Sequence, residues 1–96
     1  MEKLEIGQIV RSNSGRDKNM LFIVTGLSDN GYVYIADGKY KTVQNPKRKN
    51  TKHLDDMKRV ASIQIDEETT DPESQNATIR KELKRLGNEM DDVVYV

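Results

Sequence analysis

The sequence predicts a mainly β protein: a small antiparallel barrel, then a short C-terminal helix within an acidic polar tail. Short runs rich in β-branched and aromatic residues succeed one another between residues 8 and 65. Asn30-Gly31 and Asp37-Gly38 fall between such runs, and these dipeptides readily supply the positive φ values that tight hairpins require. Beyond residue 65 the composition turns polar, before Ile79, Leu83 and Leu86 bring apolar residues back at helical spacing.

The elements follow in order. Residues 8–12 form the first strand, and Ser12, Asn13, Ser14 and Gly15 then form a turn, because short polar side chains bond their own backbone and Gly tolerates positive φ. Residues 20–27 are apolar almost throughout, as expected of a strand covered on both faces or crossing the core of a small barrel. Residues 32–36 are the third strand and residues 39–43 the fourth. Residues 45–52, NPKRKNTK, carry four cations and no acid; with Pro46 ending the strand before them, they read as a surface arm. Alternation at residues 60–65 suggests a fifth strand that completes the barrel. Residues 66–75 are linker-like. Asn76 is placed to cap a helix over residues 77–86, which Gly87 stops; so short a helix must dock its Ile79, Leu83, Leu86 stripe or fray. Val93, Val94, Tyr95 and Val96 are β-prone with no evident partner. The organisation is therefore a barrel over residues 1–65, with a basic arm at 45–53, and a tail over residues 66–96.

Ninety-six residues, one Phe, no Trp and a mean hydropathy of −0.82 allow one domain with a modest core. No Cys is present, which excludes disulfides and thiolate chemistry and fits a cytoplasmic location. Neither a signal-peptide h-region nor a run of about 18 apolar residues occurs, so no membrane role is expected. The sixteen cations balance the sixteen acids, yet the signs are segregated. Residues 11–59 hold eleven cations against five acids, whereas residues 61–96 hold four against nine. The first segment attracts a polyanion and the second repels one.

Catalysis finds little support. His53 is the only histidine, so any triad or His-rich metal site would rest on one imidazole in a cationic loop. Asp55-Asp56 and Asp91-Asp92 are adjacent acids of the kind usually solvated. Gly7 and Gly15 are not followed by the Gly-Lys-Ser/Thr of a phosphate-cradling loop. The expectation is no enzyme, cofactor, metal or small-molecule substrate. The basic residues point elsewhere: Arg16 and Lys18 flank Gly15 at a hairpin apex, and phosphate neutralisation by such cations gives salt-sensitive, sequence-independent affinity. Tyr32, Tyr34 and Tyr40 either offer faces to unstacked bases or pack in the barrel with a wet hydroxyl.

Ile6, Gly7, Val10, Ser12, Gly15, Arg16, Asp17, Lys18 and Val24 resemble a KOW motif, the strand, loop, strand unit of several ribosomal proteins and transcription elongation factors. FIVTGL, YVYIADGK and NPKRKNTKHL continue the resemblance, in order, to bacterial KOW-domain RNA-binding proteins related to a eukaryotic-type large-subunit ribosomal protein. It covers about residues 4–54, with weaker similarity at NATIRKELK. The resemblance implies an SH3-like barrel with RNA, chiefly structured ribosomal RNA, as partner and the ribosome and translation as its setting. The chain departs from the motif where many KOW loops carry a second glycine; Asn19 stands there, and Asn is the next most tolerant residue of left-handed backbone. The expected RNA-binding set is Arg11, Ser12, Gly15, Arg16, Lys18, Asn19, Lys39, Lys41, Lys47, Arg48, Lys49, Lys52 and His53. The alternative is a protein-interaction adaptor of the translation or transcription machinery, gripping its partner with the barrel and the Ile79, Leu83, Leu86 stripe.

Overall fold

The computed structural model describes residues 4–61, 63–66 and 68–89. The chain is mainly β: five antiparallel strands, β1 (Gln8–Ser12), β2 (Leu21–Leu27), β3 (Tyr32–Ala36), β4 (Lys47–Asn50) and β5 (Leu54–Val60), precede one helix, α1 (Pro72–Gly87). The sheet order is β4-β3-β2-β1-β5, so consecutive strands β4 and β5 occupy opposite edges. They are joined only by a single 3-10 turn at Thr51–His53. Five strands lying flat at about 4.8 Å spacing would put those edges about 19 Å apart. The four-residue step from Asn50 to Leu54 reaches at most about 14 Å. The sheet must therefore curl towards a barrel, and it does so without closing, an arrangement consistent with an SH3-like fold.

Curling gives β2 two buried faces. Val10, Phe22, Val24, Val33, Ile35 and Leu54 meet inside the curl, with Leu4 closing it. On the outer face Ile9, Leu21 and Ile23 pack against Ile79, Leu83 and Leu86 of α1, with Ile63 and Ile65 alongside. This answers why the run at residues 20–27 is apolar without alternation: one face lines the barrel and the other carries the helix. The stripe offered by the adaptor reading is thus spent inside the protein, where burial contributes about 1.5–3 kcal/mol per side chain.

Four expectations need correction. Residues 39–43 are not a strand, because Asp37 is buried and its Oδ1 accepts from the amides of Lys39 and Lys41, both at 2.9 Å, which curls the segment into a turn. The basic arm is instead edge strand β4 followed by the 3-10 turn, paired with β3 from Tyr32↔Asn50 to Ile35↔Lys47. The fifth strand begins at Leu54 and ends at Val60, where the expected strand was to begin; its acids are taken up by β1, Asp55 by Arg11 and Asp56 by Gln8. The helix starts at Pro72, with Asp71 as its cap through a 3.2 Å bond from the Ser74 amide, and Pro72 suits the first turn, where no donor is needed. Asn76 lies inside the helix and is buried; its Oδ1 accepts from the Val43 amide at 2.9 Å and its Nδ2 donates to Gln44 Oε1 at 2.8 Å. Residues 72–87 accordingly share a core with the sheet rather than trailing from it. The apolar residues 93–96 lie outside the described residues.

Candidate nucleic-acid interface

The loop over residues 13–19 joins β1 to β2. The Ser12 amide donates to Met20 O at 3.0 Å and the Asn19 amide to Ser12 O at 2.7 Å. Closure needs left-handed backbone at two positions, Gly15 (φ +81°) and Asn19 (φ +72°). Asn19 thus takes the conformation for which its side chain suits it, and its role is to close the loop.

Asp17 organises what lies beneath the apex. Its Oδ1 accepts from Ser12 Oγ at 2.6 Å and Lys49 Nζ at 3.0 Å, and its Oδ2 accepts from Lys47 Nζ at 2.9 Å. Lys49 also donates to Ser12 Oγ at 3.2 Å and Ser14 O at 3.3 Å, and it is only 8% exposed. Burial opposes ionisation of Asp17, but the hydrogen bonds from Ser12, Lys47 and Lys49 outweigh it and lower the pKa to about 2. On the flank, Asn13 and Arg11 hold the Asp55 carboxyl below the ordinary range by donating to it at 3.0 and 2.9 Å. The Asn13 amide donates to His53 O at 2.9 Å, tying the loop to the 3-10 turn.

The expected site residues therefore divide. The structure brings the Gly15 loop and β4 together, with Lys47 and Lys49 reaching Asp17 from the neighbouring strand. Arg11, Ser12, Lys47 and Lys49 are committed to the protein's own acids, which makes them braces of the loop. Arg16 and Lys18 are exposed and pair with no acid among the described residues. The amides of Ser14, Gly15, Arg16 and Asp17 have no hydrogen-bond partner among the described residues, so four consecutive donors are left free beside these two cations. Successive free amides around a left-handed glycine make a concavity suited to an anion. Arg48 and Lys52 are also exposed. The Arg48 guanidinium lies 3.9 Å from the centroid of the Tyr32 ring, and its Nε donates to Ser28 Oγ at 3.2 Å. Lys39 and Lys41 are exposed on the turn after β3, away from the loop, and the Gly38 carbonyl of that turn accepts from Arg80 of α1 at 2.5 Å. His53 contributes its carbonyl to the fold and is half-buried.

Sequence reasoning missed Asp17, Asn13 and Asp55 as organisers. The available signal was Asp17 itself, one acid enclosed by Arg16 and Lys18 in a cationic loop. Among the described residues no group of three or more His, Cys, Asp and Glu side chains could hold a metal ion, and no helix is long and apolar enough to cross a membrane. No protein-family model and no curated protein gives a significant match to this chain.

Proposed function

We propose that this chain is a non-enzymatic RNA-binding protein that docks on structured ribosomal RNA in the cytoplasm, associating with the ribosome through the Gly15 loop and the adjoining β4 surface. The observation that carries the reading is the loop apex: four free amides at residues 14–17 beside the unpaired Arg16 and Lys18. Phosphodiesters are the ligands such a surface suits, since amides and long cations both reach phosphate oxygens. The resemblance to KOW-domain proteins supports the same partner. Arg48 and Lys52 extend the cationic surface along β4 and the 3-10 turn, while Arg11, Lys47 and Lys49 hold the loop in shape. Recognition then rests on phosphate position and RNA shape more than on sequence.

Filter-binding titrations of structured ribosomal RNA at several salt concentrations test this. Arg16→Glu with Lys18→Glu is expected to weaken binding and to flatten the logarithmic salt dependence by about 1.5 in slope, the loss of two phosphate contacts. Lys39→Glu with Lys41→Glu should change both far less. Unaltered affinity and slope in the Arg16, Lys18 variant would overturn the site, and an unmodified chain that binds no RNA would overturn the function.

A further inference from the structure

The outer face of the sheet holds a second feature that the loop does not use. Gly26 on β2 and Tyr34 on β3 are cross-strand partners, and because Gly26 has no side chain the sheet is bare at that point. A pocket of about 230 Å³ opens there, with Thr25, Gly26, Tyr34, Val43, Pro46 and Asp66 among the residues that line it. It is smaller than the roughly 300 Å³ at which small-molecule sites begin, so it has room for one ring system.

We infer that this pocket receives a single unpaired nucleobase of the bound RNA, guanine above the others, stacked on Tyr34 with its Watson–Crick edge at Asp66. The inference rests on the RNA reading and adds to it what the partner must present beside its structured part. Three features favour a base over other occupants. Tyr34 supplies an aromatic wall, and stacking on such a wall is a general means of holding single-stranded bases. Asp66 accepts from the Glu68 amide through Oδ1 at 2.9 Å, while its Oδ2 has no partner among the described residues. That leaves an acceptor at the rim for N–H donors, of which guanine offers two side by side. Charge then fixes the direction. Arg48 is the cross-strand partner of Tyr34, and Lys47, next to Pro46, is bound to Asp17 of the loop. Phosphates are drawn towards β4 and the loop and repelled from Asp66, so a strand crossing β4 delivers its base, not its phosphate, to the pocket. A peptide has less to recommend it here, because the neighbouring edge strand presents the exposed Arg48 beside Tyr34, a cation placed for a phosphate.

The test uses the full chain labelled with ¹⁵N and titrated separately with guanosine 5′-monophosphate, uridine 5′-monophosphate and inorganic phosphate. Guanosine monophosphate should shift the amides of Gly26, Leu27 and Tyr34, and should bind about tenfold more tightly than the uridine nucleotide, the low end of the discrimination that hydrogen bonding to a base edge supplies. Inorganic phosphate should move only the amides of residues 14–17. Asp66→Asn, at an exposed position, should reduce the guanosine preference to near unity, and Tyr34→Leu should weaken both nucleotides. Nucleotide shifts confined to residues 14–17 would overturn the pocket and leave the RNA reading standing if ribosomal RNA still binds. A proline-rich peptide that moves Gly26 and Tyr34 where nucleotides do not would reassign the pocket to protein recognition. A preserved guanosine preference in Asp66→Asn would overturn the assigned contact.

Discussion

Replacing Asp17 with Asn tests whether the loop is held by internal neutralisation. The perturbation removes one negative charge from between two lysines and leaves the geometry nearly unchanged. Its size follows from the lowered pKa: ionised Asp17 is favoured in the folded state by the gap between 3.8 and about 2, which corresponds to about 2 kcal/mol. The Asp17 side chain is 13% exposed and that of Lys49 9%, so solvent screens this part little; Lys47, at 37%, contributes the weaker half. Lys49 would be left with neutral partners, Ser12 Oγ and Ser14 O, and the loss of its counter-charge is part of that figure. A destabilisation of about 2–3 kcal/mol at pH 7 is expected from urea unfolding. The folded-state pKa lies below the unfolded value, so the unfolded chain binds more protons between them and stability rises with pH across that window. The Asp17 contribution is complete above about pH 5 and is lost as pH falls through about 2, where wild type and Asp17→Asn should converge. Adding Lys49→Met should recover much of the loss at pH 7, because the unpaired buried charge is gone. A variant within about 0.5 kcal/mol of wild type at pH 7, or a deficit that persists undiminished at pH 2, would refute the network as a stabilising unit.

Other positions test the loop and the helix clamp. Asn19→Ala should cost about 1 kcal/mol in chemical denaturation, because alanine resists φ +72°, whereas Asn19→Gly should stay within about 0.5 kcal/mol. Gly38→Ala should lower stability by about 3 kcal/mol or more: φ is +81° there, and a Cβ would collide with the Asn76 carbonyl oxygen and sit 3.0 Å from Arg80 Cγ. Leu83→Ala should cost about 2–4 kcal/mol through the cavity it leaves over Ile9, Leu21 and Ile23, with a lowered midpoint on thermal unfolding followed by circular dichroism. A helix lying free of the sheet would leave that midpoint unmoved.

Legibility tracked the range of the interaction concerned. The boundaries of β1 and β3 stand where turn chemistry and β-branched runs put them, and Asn30 and Gly31 both take positive φ, as their hairpin turn requires. Asn19 shows the same: its tolerance of left-handed backbone is intrinsic, so the loop could be read without knowing what surrounds it. Asp37-Gly38 misled because the turn signal was correct but the buried Asp37 carboxylate extends the turn through Lys41, consuming the residues assigned to a strand. The helix start was misplaced by choosing Asn76 over Asp71, although Asp71 with Pro72 and Glu73 was the stronger local signature.

For the site, the sequence by itself determined where cations and glycine coincide, and that residues 20–27 form an apolar run fit for a strand covered on both faces or one crossing the core of a small barrel. Only the tertiary structure decided which cations are available. Lys47 and Lys49 stand 30 and 32 positions from Asp17, yet their ammonium groups lie 2.9 and 3.0 Å from its carboxylate, which turns half of an apparent binding arm into loop support. It also decided that the helix stripe is core and that a pocket stands over Gly26. The physical reason is that backbone preference depends on a residue and its immediate neighbours, whereas whether a charge is free depends on which distant groups the fold brings within hydrogen-bonding distance.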